Sequence, residues 1–132
     1  MDLKESAIAK LSTVTGVDLN GAGGTETALY TVPTGKKLLV DGVRIRDLSA
    51  DAANAVVTFG KTGGDCDEFL GDQTLSNLDG TTKTTIVRPV PNATPAAQIM
   101  FAAGETFGVE ITTAAGGACT CTMEPLGRLV NA

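Results

Sequence analysis

The chain has 132 residues, a length that suits one domain with its own core, and its 15 Asp and Glu against 10 Lys and Arg leave a net charge of −5. No apolar run approaches the ~20 residues that cross a bilayer as a helix, and the cations lie singly or in pairs rather than in a stripe that could follow a phosphate backbone; a membrane helix is excluded and nucleic acid is not an expected partner. Histidine is absent, which removes the Ser-His-Asp and Cys-His arrangements and the usual nitrogen ligand of zinc, so no enzymatic activity and no cofactor are expected.

The chain starts Met1-Asp2-Leu3-Lys4-Glu5-Ser6, with acids where a secretory signal would carry an apolar stretch, and synthesis in a cytoplasm is the expectation. Leu3, Ala7 and Leu11 recur at i, i+4 and i+8 among Lys4, Glu5 and Lys10, a spacing that predicts a short amphipathic helix over Asp2 to Leu11. A helix of ~10 residues is marginal alone. It therefore either docks on its own domain or acts as an arm that grips a neighbouring subunit. Residues 1–12 are assigned to this arm and residues 13–132 to a β-domain.

After the turn cluster Asn20 to Gly24, Thr27 to Pro33, Thr34-Gly35-Lys36 and Lys37 to Leu48 read as strand, turn, strand. In the second strand Val43 and Ile45 alternate with Arg44 and Arg46, so one face is buried and the other carries charge outward. Asn54 to Gly60 is a further strand, ending at Lys61-Thr62-Gly63-Gly64. Asp65 to Asp79 reads as a loop with a short strand near Glu68 to Leu70. Thr82 to Val90 and Gln98 to Phe101 return to strand character around Pro89, Pro91 and Pro95. Phe107, Val109 and Ile111 alternate with Gly108, Glu110 and Thr112, and Cys119, Cys121 and Met123 alternate with Thr120, Thr122 and Glu124; with the turn at Ala114 to Gly117 between them, the last two strands are expected to form a hairpin. Eight or nine short strands without an intervening helix predict an all-β fold, an antiparallel sandwich of jelly-roll type.

Several residues carry possible chemistry. Cys119 and Cys121 share a strand face, a poor geometry for a disulfide, and read with Cys66 as free thiols, the strand pair as small core groups. Asp65, Asp67, Glu68 and Asp72 are hard oxygen donors in a glycine-flanked loop that can hold Ca²⁺, although their spacing matches no EF-hand and a solvated acidic loop is the simpler reading. Gly21 to Gly24 and Gly116-Gly117 lack the Lys-Ser/Thr pair of a phosphate loop and read as turns. Arg44 and Arg46, with Asp41 and Asp47 nearby, are either a cross-subunit ion-pair set or the solvent face of a strand.

The segment Thr27-Ala28-Leu29-Tyr30-Thr31-Val32-Pro33-Thr34-Gly35-Lys36, followed by Leu38 to Ile45, resembles the "LYTVP-x-GK" strand–turn–strand of small structural proteins of tailed bacteriophages, some of which are capsid decoration or cement proteins. Ala103-Gly104-Glu105-Thr106-Phe107-Gly108-Val109 is similar to the "AGE-x-x-GV" end of the same proteins. Together the two matches frame Thr27 to Leu129. The resemblance implies a jelly-roll virion protein, often multimeric, on an icosahedral shell, and brings no catalytic residue with it. The expected function is therefore a cement protein that is made in the host cytoplasm and binds the outer capsid surface. Its expected partners are further copies of itself, as a trimer, and the major capsid protein, engaged through Leu3, Ile8 and Leu11 with Arg44 and Arg46. The alternative is a tail- or fibre-associated module that binds a host-surface glycan, a reading that the scarcity of aromatic residues opposes.

Overall fold

A computed structural model describes residues 8–91 and 99–132, which contain nine strands, the longest of them with alternating inward and outward residues. They are β1 (Ala9–Lys10), β2 (Val14–Asp18), β3 (Thr25–Thr31), β4 (Lys36–Arg46), β5 (Val56–Lys61), β6 (Leu70–Thr74), β7 (Thr85–Val87), β8 (Thr106–Thr113) and β9 (Thr120–Asn131). The described residues contain no helix. Every pairing between these strands is antiparallel.

Sheet I has the order β1-β9-β4-β7, with β2 following β1 along the same edge of β9, and sheet II has the order β3-β8-β5-β6. Counting β2 to β9 as eight strands, the pairings β2–β9, β4–β7, β3–β8 and β5–β6 are those of a jelly roll. The chain changes sheet at almost every connection, and only β5–β6 is a hairpin between consecutive strands.

Parity explains how the long strands keep one face inward. In β4 the buried residues are Leu38 and Val40, then Val43 and Ile45, a switch from even to odd numbers that would turn half the strand outward. The register slips between Val40 and Gly42, and this one-residue bulge restores the inward face. The core is completed by Val57 and Phe59 from β5, Phe107, Val109 and Ile111 from β8, and Cys121 and Met123 from β9. Four phenylalanines meet in it: Phe69 lies edge-on to Phe59 and Phe107, with centroids 6.4 and 5.4 Å apart, and Phe101 lies edge-on to Phe107 at 5.5 Å. Phe101 also exchanges both backbone hydrogen bonds with Leu38, which fastens the segment ahead of β8 to β4.

Three expectations change. The helix expected over Asp2 to Leu11 is not found where the chain is described: Ala9 and Lys10 pair as a strand with Leu126 and Gly127, while Asp2 to Ala7, and Leu3 with them, lie outside the described residues. β8 and β9 do not form a hairpin. β8 joins β3 and β5 in sheet II, and β9 joins β4, β1 and β2 in sheet I, so the connection between them carries the chain from one sheet to the other. The short strand near Glu68 to Leu70 begins instead at Leu70 and runs to Thr74.

Candidate interaction surfaces

The outer face of sheet I holds a buried carboxylate. Glu124 on β9 alternates with the core residues Cys121 and Met123 and so points away from the core, yet its side chain is only 5% exposed. Arg46 on β4 donates to it through Nε at 2.8 Å, Thr13 donates through Oγ1 at 3.0 Å, and Lys10 Nζ lies 3.4 Å away. The Arg46 hydrogen bond, assisted by Thr13 and Lys10, outweighs desolvation and holds the Glu124 carboxyl down at about 2. Arg46 also pairs with Asp47. The cluster therefore ties β4 and β9 to the segment that carries β1.

Arg44 is exposed one position along the same face, opposite Glu124 in the β4–β9 register and Ile86 in the β4–β7 register. Arg44 and Arg46 thus differ in role: Arg46 is committed to Glu124, and Arg44 points outward. Near the strand start, Leu11 packs against the core and its backbone N–H donates to Pro125 O at 2.9 Å, whereas Ile8 is 55% exposed. Ile8 and Arg44 are therefore the outward members of the predicted contact set within the described residues.

The acidic loop lies across the outer face of sheet II. Gly60 and Gly108 are register partners on that face. A Cβ on Gly108 would stand 2.6 Å from Thr27 O, and one on Gly60 would stand 2.7 Å from the backbone nitrogens of Asp67 and Glu68; two glycines side by side leave the strip on which residues 62–69 rest. Glu68 accepts the Lys61 N–H at 2.7 Å. Asp65 is exposed in a turn and Asp72 lies on β6, so the four acids face different tasks. Among the described residues no three Asp, Glu, Cys or His side chains are gathered for a metal ion.

Cys66 turns the chain at a left-handed backbone conformation, φ 54°, and its Sγ donates to Gly108 O at 3.6 Å. Cys66, Cys119 and Cys121 are all free and buried, as the strand pattern predicted for the last two. Burial pushes the Cys66 and Cys121 thiols up to about 12.

A groove of about 290 Å³ opens between β6 and β7, the edge strands of the two sheets. Leu70, Leu75, Ile86, Val87 and Val90 line it with Arg88. Val90 closes one end through hydrogen bonds with Phe69 and Gly71, and is itself 62% exposed. The groove contains no aromatic side chain.

No family model and no curated protein matches this chain. Among solved structures, it is similar to a chain in the acidic stable capsid structure of Helicobacter pylori bacteriophage KHP30, with a TM-score of 0.52 and 13% identity over 96% of this chain and 98% of that one. The likeness is one of fold. It extends across essentially the whole of both chains.

Two elements of this surface escaped the sequence reading. β2 was hidden because Gly16, at φ 68°, and a register slip between Val14 and Val17 break its alternation. Glu124 was visible only as the polar partner of a core strand; the available signal was an acid at an alternating position in a chain with two arginines at alternating positions of another strand.

Proposed function

We propose that this chain is a structural component of a phage particle that binds the outer surface of the capsid as a cement protein and has no enzymatic activity. The observation that carries this reading is the full-length jelly-roll likeness to a chain of a phage capsid structure. The LYTVPTGK and AGETFGV segments support it, as does the absence of histidine. A trimer is the proposed assembly. Several weak contacts with neighbouring major capsid subunits then act together, so the assembled protein binds more tightly than one copy. Ile8 and Arg44 are the proposed contacts within the described residues, and Leu3 and the remainder of the first segment extend them.

The glycan-binding alternative has less support. All four phenylalanines are at most 1% exposed, which leaves the half-buried Tyr30 as the one aromatic ring near the surface, and sugar rings are commonly recognised by stacking on exposed aromatics.

The test mixes purified protein with expanded phage capsids and reads co-sedimentation and the melting temperature of the shell. Removal of residues 1–8 is preferable to removal of 1–12, because the longer cut would take Lys10 from Glu124 and Leu11 from the core. The reading expects the full chain to bind and raise the shell melting temperature, and the shortened chain or Arg44→Ala to bind less. If the folded full chain binds no shell, the cement reading fails and a tail or fibre location replaces it.

A further inference from the structure

The outer face of sheet II carries charges that the fold does not require. Glu26 on β3 stands directly opposite Glu110 on β8, and Thr58 on β5 stands directly opposite Glu110 on its other side. Three polar side chains thus form a row across three strands, two of them like charges whose juxtaposition destabilises a sheet. Glu26 is engaged from one side, where both of its carboxylate oxygens accept the Gly63 N–H at 3.1 and 3.3 Å. Glu110 is half-buried, and no hydrogen bond or ion pair holds its carboxylate among the described residues.

Thr58 supplies an independent sign that something is missing. It is 4% exposed, and its Oγ1 is the one buried side-chain oxygen or nitrogen without a hydrogen-bond partner among the described residues. Buried hydroxyls are nearly always satisfied, and an exception calls for a ligand or another explanation. Glu68 adds to the negative field: together with Glu26 and Glu110 it acts on the Cys66 thiol, reinforcing the effect of burial. Among the described residues the cations are mostly engaged elsewhere, although Lys61 also acts electrostatically on Glu68. Arg44, Arg46, Arg128 and Lys10 sit on strands of sheet I, and Lys61 is paired with Glu105.

We propose that the Glu26–Glu110–Thr58 row is a docking site for a lysine or arginine side chain of a partner protein. An ammonium or guanidinium brings several N–H donors at once. It can bond Glu110 and Glu26, neutralising the repelling pair with charge-assisted bonds, and meets the Thr58 oxygen, enclosed beside Glu110, once the side chains over it yield to the incoming cation. A metal ion fits less well, because no three acids or thiols are gathered for one and backbone N–H groups already hold Glu26 and Glu68. The proposal deepens the capsid reading by naming the chemistry of the partner, and rests on that reading only for which protein carries the cation.

The test titrates the full-length ¹⁵N-labelled protein with the blocked peptide acetyl-Gly-Gly-Arg-Gly-Gly-amide at about 0.15 M salt, where long-range attraction is screened. The same peptide with norleucine in place of arginine is the control, and CaCl₂ is titrated separately. Saturable shifts concentrated on the amides of Glu26, Thr58, Gly63 and Glu110, with arginine only, support the site. Glu110→Gln is then expected to weaken binding about fivefold or more while raising the thermal midpoint of the free protein, because one of two opposed like charges is gone. Thr58→Val, which changes no charge, is expected to weaken binding as well. Absent shifts, shifts spread over the whole acidic surface, or a saturable response to Ca²⁺ without one to the peptide would each overturn the proposal. Capsids play no part in this experiment, so its failure is separable from failure of the cement reading.

Discussion

Replacing Glu124 with glutamine keeps the size of the side chain and removes the charge on which Arg46, Thr13 and Lys10 converge. Hydrogen bonds to a charged group contribute roughly 1.5–3 kcal/mol when buried, and exposed ion pairs about 0–1. Glu124 itself is 5% exposed, but Arg46 is 38% and Lys10 56% exposed, so the loss at neutral pH is set between these limits, at about 1–3 kcal/mol. The pH dependence follows from linkage. Folding lowers the Glu124 carboxyl from its ordinary 4.5 to about 2, so the folded state releases the proton more readily than the unfolded state. The stabilisation is therefore complete above 4.5 and disappears as pH falls through about 2. Urea unfolding of the natural protein and Glu124→Gln, repeated from neutral pH to below 2, reads this directly. The difference between the two proteins is expected to shrink between 4.5 and about 2. Equal stability at neutral pH, or a gap that persists unchanged in strong acid, would refute the reasoning.

Other perturbations probe different parts of the fold. Gly108→Ala places a Cβ 2.6 Å from Thr27 O, and a loss of about 2 kcal/mol or more is expected from overpacking, measurable by thermal unfolding. Phe107→Ala removes the ring that touches Phe59, Phe69 and Phe101; the expected cost in a denaturant titration is about 3–5 kcal/mol. The three buried thiols are expected to resist a disulfide reagent at pH 8 in the folded protein and to react together once denaturant unfolds it. Arg44→Ala is expected to change stability by less than about 0.5 kcal/mol while reducing capsid co-sedimentation, which separates a contact residue from a structural one.

Where one strand face had to be apolar, the pattern of residues was enough to read it. Phe107, Val109 and Ile111, and likewise Val43 and Ile45, stand in the core as their alternation predicted, with Arg44 and Arg46 on the opposite face. Periodicity misjudged Ala9 and Lys10, because Leu3, Ala7 and Leu11 at helical spacing say nothing of the unpaired edge of β9, to which these two residues bond. A short segment follows whichever backbone partner the fold offers, since its own helical preference is weak.

The sites were less legible than the strands. Nothing local distinguishes Glu124 from any polar residue on an outer face; its burial comes from Arg46, 78 residues away, and Thr13, 111 residues away. Thr58 is in the same position, its row with Glu110 and Glu26 existing only once three distant strands lie side by side. The acidic loop drew notice because its four acids are neighbours in the chain, and the fold distributes them.

By itself, then, the sequence determined an all-β chain, the inward face of most of its strands and the buried state of the cysteine pair, since each depends on a period of two along a local segment. Which sheet a strand joins was decided only by the tertiary structure. The turn at Ala114 to Gly117 is compatible with a hairpin, but β9 pairs over ten positions with β4, and long non-local pairings of that kind outweigh what a short turn prefers. Jelly-roll order, the Glu124 cluster and the row at Glu110 all arise from such pairings, which appear nowhere in the spacing of residues along the chain.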